Sequence, residues 1–207
     1  MQWSKWLTWK AGRRHPNRYH RDNSLHSFQC DDRKMNSGDI LTRSTVWISI
    51  VAYAAGCVVF AIARGRADLD RWVRGAWTTG CAALLAHFIS AFHFFHAWSH
   101  ASAYSDTARQ TAAVFGINWG GGLFINYAVA SLWLADVTWW WFAGVNSYRR
   151  RPWLLTLLWH SFLIFIIFNA TVVFKDGPTR WIGLLLCLIL CLSWLAISRA
   201  RSLSIAQ

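Results

Sequence analysis

The chain has 207 residues, 55% of them hydrophobic, with 16 tryptophans and 13 phenylalanines, which is too apolar and aromatic for an ordinary soluble domain. The formal net charge of +12 suggests anionic partners, but the arginines sit in connectors between apolar runs and no nucleic-acid-binding motif accompanies them. That placement argues for lipid headgroups and against nucleic acid, and because all nine acidic residues are Asp, the Glu-dependent HExxH protease and di-iron bundle are excluded too.

Residues 1–44 are polar and basic, with nine Lys or Arg against four Asp, a net +5. The segment lacks the apolar stretch of a cleavable signal peptide. Trp3, Trp6 and Trp9 recur every third residue with Lys5 and Lys10 between them, a pattern suited to a short helix in the headgroup zone. A disordered segment fits equally, since few apolar residues follow Trp9. Met35 offers an alternative start of translation.

Five apolar runs follow: Thr45–Ala63, Gly75–Trp98, Gly120–Val145, Trp153–Phe174 and Trp181–Ile197. A hydrocarbon core about 30 Å thick needs about 20 apolar residues in a helix, and backbone groups in lipid must be paired within the segment. The expected fold is an all-α polytopic integral membrane helix bundle over residues 45–198, with about five transmembrane helices, or four if the last is peripheral. Residues 199–207 form a short polar tail. The first span carries small residues at Ala54, Ala55 and Gly56, suited to close helix packing, and Arg64–Arg74 reads as a solvated connector.

The second span is apolar to Leu85 and then changes character: His87, Ser90, His93, His96, Ser99 and His100 crowd its second half. At about 100° per residue, His93, His96 and His100 share one stripe of a continuous helix, whereas His87 lies about 120° from His93. The i, i+4 spacing of His96 and His100 lets one helix offer two nitrogens to a metal. From His93 to His100 the rise is about 10 Å, so two of the three fit one coordination sphere without distortion.

Between the second and third spans, Ser105 or Asp106 reads as the N-cap of a short amphipathic helix and Gly116 as its stop. Asp106 pairs with Arg109 at i, i+3 or completes the histidine site as a carboxylate. Gly120–Gly122 lacks the lysine and the strand of a phosphate loop and reads as a turn or a point of close packing.

Polar side chains within spans face the bundle interior, a cavity or each other. Counted from the Arg-rich loops, His87, Asp136 and His160 fall at one depth, and His93 and His96 come level with Asn126 and Asn169 nearer the opposite face. The third span ends in Trp139–Phe142 and hands over to Tyr148–Arg151, an aromatic belt with a basic flank expected to anchor on headgroups. Pro152 opens the fourth helix and a Gly-Pro turn over Lys175–Arg180 leads to the last. Cys57, Cys81, Cys187, Cys191 and Cys30 form no CxxC pair and read as small hydrophobes.

Three functions are expected from these residues. In the first, a membrane redox or enzymatic subunit binds copper, zinc or iron at the rim through His96 and His100 with His93 or Asp106, or haem between His87 or His96 and His160. Five histidines in and beside the spans are too few for repeated HxxHH boxes. In the second, His87, Asp136 and His160 form the path of a transport or proton-relay component. In the third, the chain is a non-catalytic structural subunit of a membrane complex, its polar groups serving packing. Lys and Arg near the spans number 6 on the amino-terminal side and 9 on the other, which places the carboxy terminus in the cytoplasm of a cell (inner) membrane protein. Counting the whole amino-terminal segment reverses that to 12 against 9.

Overall fold

The structure, a computed structural model, describes residues 36–63 and 66–205. The tryptophans of residues 3–9, Cys30 and Met35 lie outside the described residues. Six α-helices are present among the described residues: α1 (Ser37–Ala63), α2 (Ala67–Phe95), α3 (His100–Phe115), α4 (Gly122–Arg149), α5 (Trp153–Phe168) and α6 (Pro178–Ile205). α5 continues through a π-helical turn, Asn169–Val173. No strand occurs among the described residues, and each helix pairs its backbone groups within its own segment, as a span in hydrocarbon requires.

α1 begins at Ser37 rather than Thr45, so Asp39 and Arg43 belong to the first helix and not to the amino-terminal segment. The connector expected at Arg64–Arg74 is mostly helix, because α2 begins at Ala67 with Asp68 and Asp70 in its first turn, where carboxylates complement the helix dipole. α2 stops at Phe95, short of the expected Trp98. Ala97 and Trp98 adopt left-handed φ values of 46° and 61°, and the Trp98 N–H closes on the Phe92 carbonyl at 3.0 Å. The Ser99 side chain then accepts from the Ser102 N–H at 3.2 Å and caps α3, so Ser99, not Ser105 or Asp106, starts that helix. Gly116 ends it as expected, left-handed at φ 73°.

Among the described residues four helices are long and apolar enough to cross a membrane: Ser37–Ile62, Asp68–Phe95, Trp153–Val173 and Pro178–Leu195. The last span therefore qualifies, while α4, expected as the third, does not. Its length suffices, but Asn126, Asp136 and four tryptophans dilute its apolarity. α4 nonetheless packs into the bundle, placing Val129, Trp133, Val137 and Trp140 in the core with Tyr53, Trp77, Leu163 and Leu190. α1 and α2 form an antiparallel hairpin, α4 lies against α2, and α6 against α1 and α5. At Gly80 a Cβ would meet the Trp133 ring and the Ser49 carbonyl, so the absent side chain lets α1, α2 and α4 converge. On the outer face of α6, Leu185, Leu188, Leu192 and Leu195 are each more than half exposed, a ridge for lipid rather than water.

Candidate functional site

The polar centre of the bundle is Asp136. Its Oδ2 accepts from the Trp77 indole N–H and from the Tyr148 hydroxyl, each at 2.8 Å, and its Oδ1 meets Arg151 Nη1 at 2.6 Å. The Asp136 and Arg151 side chains are 10% and 6% exposed, so this is an ion pair taken out of solvent. Arg151 also donates from Nε to Thr156 Oγ1 at 2.9 Å, and its guanidinium lies 4.1 Å over the Tyr148 ring. Tyr148 in turn stacks on Trp140, with ring centroids 4.0 Å apart and planes 9° from parallel. Each bond satisfies a group that would otherwise be stranded, and charge-assisted bonds of this kind are the strong ones.

Backbone geometry makes the arrangement. Along a straight helix Asp136 and Tyr148 would stand about 18 Å apart. Gly144 breaks the ladder with φ 75° and ψ 168°, a region only glycine enters without strain. The break folds the last turn of α4 back, so Tyr148 and then Arg151 return to the carboxylate. Arg151, expected among the arginines on headgroups, is thus an interior residue.

Next to this network lies a second pair. The Tyr53 hydroxyl is 3.0 Å from His160 Nδ1, with the rings stacked at 5.9 Å. Trp77 joins the two groups: its indole bonds Asp136 while its ring lies 5.4 Å from His160 and 5.3 Å from Tyr53. A cavity of about 60 Å³ adjoins Tyr53, lined almost wholly by apolar atoms of residues including Val46, Leu84, Trp133, Leu163 and Ala170.

Of the depth-matched set His87, Asp136 and His160, the last two share Trp77 as a neighbour. His87 lies elsewhere, donating Nδ1–H to the Thr42 carbonyl at 2.8 Å. Asn126 is half-buried on α4, and Asn169 donates to the Phe165 carbonyl at 2.8 Å within its own helix.

The rim histidines are divided by the break after Phe95. They do not form the single helical stripe that their spacing implies, because His93 ends α2, His96 lies in the turn and His100 begins α3. His93 is exposed and edges the rings of Phe94 and Trp98. His100 Nδ1 is 3.1 Å from the Tyr127 hydroxyl. His96 Nδ1 is buried and lies 3.4 Å from Asp106 Oδ2, within ion-pair reach but not aligned for a hydrogen bond. Asp106 makes its closer pair with Arg109. Burial holds the His96 imidazole below its usual range. At the same end of the bundle, burial and then the nearby Arg43 lower Lys175 to about 8. Among the described residues, no three His, Cys or Asp side chains converge as ligands for a metal ion.

The residues that complete the Asp136 network, Trp77, Tyr148 and Arg151, carried no distinct signal in the sequence, nor did Tyr53. A lone intramembrane carboxylate does demand a cation, however, and Arg149–Arg151 are the nearest in the chain. Comparison of this chain with protein-family models, with curated proteins and with solved structures returns no match.

Proposed function

We propose that this chain is a non-catalytic scaffold subunit of a membrane complex, its helices held in register by an intramembrane lock centred on Asp136 and Arg151. The observation that carries this reading is the closure of the charges on one another. Asp136 takes three donors from within the chain, and Arg151 divides its donors between Asp136 and Thr156. A proton path needs groups that both accept and release protons. Trp77, which stands between Asp136 and His160, is a donor only and interrupts such a path.

α4 supports the same reading. It falls short of the apolarity of the other long helices, and its outer face sets Ser131, Ala135 and Thr138 among exposed Leu132, Leu134 and Trp139, a mixed surface that suits a protein neighbour in the bilayer. The experiment is a flux assay in proteoliposomes. The scaffold reading predicts that the wild-type chain and Asp136→Asn both leave proton and solute permeability at the level of empty vesicles. Wild-type flux that Asp136→Asn abolishes would establish the transport or proton-relay function instead.

A second reading, a copper, zinc or iron site at the rim, draws on the approach of His96 to Asp106. Two tetrahedral ligands at about 2.0–2.1 Å from a metal stand about 3.4 Å apart, which matches that separation. The site would need further ligands from His100, His93 or water. Haem between His96 or His87 and His160 is less favoured, because the His160 ring is packed among Tyr53, Trp77 and Trp194, with centroids 5.9, 5.4 and 5.0 Å away. The chain's basic loops would rest on anionic headgroups of the cell membrane, with the carboxy terminus cytoplasmic.

A further inference from the structure

Tyr53 has no exposed surface, yet it carries a phenol, and that phenol meets Nδ1 of His160 at 3.0 Å. Packing alone would be served by phenylalanine, and a hydrogen bond alone by any acceptor. A phenol set against an imidazole can do more. When it loses an electron, its proton can pass to the base in the same event, which avoids the high-energy phenol cation.

The surroundings supply a route for the electron. Trp77 and Trp133 lie 5.3 and 5.9 Å from Tyr53. Trp77 and Trp133 are themselves 5.3 Å apart, and Trp194 stands 5.0 Å from His160. Trp194, on α6, is part-exposed at the end of the membrane span Pro178–Leu195, while Tyr53 is sealed inside. Oxidisable rings therefore run from the part-exposed Trp194 at the end of a span to a buried phenol with a base attached.

We propose that Tyr53 and His160 form a proton-coupled redox site, filled by oxidising equivalents that enter from the lipid side through Trp194. The oxidant is of the lipid peroxyl class. It takes one electron from the Trp194 indole and, with a proton from the interface, becomes the hydroperoxide. Tyr53 returns an electron to the Trp194 radical cation. The Tyr53 O–H bond breaks and an N–H bond forms at His160 Nδ1, leaving a neutral phenoxyl radical and an imidazolium. His160 starts as the Nε2–H tautomer, the form whose Nδ1 accepts. The role goes beyond the scaffold reading and rests on Tyr53, His160 and Trp194, none of which belongs to the Asp136 lock.

The test is flash oxidation of the full chain in nanodiscs by a photogenerated ruthenium(III) polypyridyl complex, read by electron paramagnetic resonance and transient absorbance. The expected result is a tyrosyl signal that is lost in Tyr53→Phe and kept in Tyr104→Phe, whose ring lies on α3. In His160→Gln its yield falls several-fold and the solvent deuterium isotope effect on its formation disappears. A tyrosyl signal that persists in Tyr53→Phe overturns the proposal. So does a yield and isotope effect unchanged in His160→Gln. Should that variant not fold, the wild-type isotope effect decides: a value above one is expected, and no effect overturns the coupling to a proton.

Discussion

A carboxylate at the depth of Asp136 faces a desolvation cost of several kcal/mol that only a close cation and further donors offset. Arg151, Trp77 and Tyr148 supply both, and their bonds distribute over both oxygens of the carboxylate. At this scale the sequence marked Asp136 and His160 as groups needing interior partners. It did not mark Arg151, because three consecutive arginines after an aromatic belt look like headgroup anchors and only the backbone path of α4 separates the third from that role. Lys175 gives the residue-scale prediction. Burial and Arg43 bring it to about 8 from 10.5, so the folded state releases this proton before the unfolded chain does. The cost of holding it charged is full below pH 8 and is relieved as pH rises toward 10.5, so stability should increase across that window. Unfolding of both proteins followed against pH should show the wild type gaining stability relative to Lys175→Met across that window. A difference between the two that stays constant with pH would contradict the assignment to Lys175.

At the scale of elements, two breaks in helical continuity decide where side chains meet. The first, at Ala97 and Trp98, turns one expected histidine stripe into three separate environments. Spacing arguments for His93, His96 and His100 assumed an unbroken helix. Nothing in AFHFFHAWSH disfavours one, since neither left-handed residue is glycine or asparagine. The second break, at Gly144, builds the lock. Space is not the constraint there, for a Cβ at Gly144 would meet nothing within 4 Å. The cost of Gly144→Ala is backbone strain alone, on the order of 1–3 kcal/mol. Thermal unfolding of that variant should fall accordingly, and tyrosine fluorescence or ultraviolet difference spectra should report the loss of the Tyr148–Trp140 stack. Unchanged stability with the stack intact would mean that alanine adopts the glycine conformation and that the residue type is immaterial.

For the whole molecule, the membrane class was legible from composition and run length, because hydrocarbon thickness translates directly into residues. Helix boundaries and the status of α4 were less so. Its tryptophans and Asp136 make it poor as a lipid-facing helix, yet those same residues supply core packing and the lock. In hydrocarbon a bundle gains little helix association from hydrophobicity, so packing and interior polar bonds hold it together. Breaking the lock by removing one partner should then be far more damaging than removing both. The decisive measurement is a double-mutant cycle on the purified chain in detergent, with Asp136→Leu, Arg151→Met and the two combined, each followed by reversible unfolding. The lock predicts a loss on the order of 3–5 kcal/mol for each single variant, where a charge is left buried alone, and recovery of most of it in the double variant. Single losses that are small, or that simply add in the double variant, would contradict it and mean that Asp136 and Arg151 contribute independently of one another.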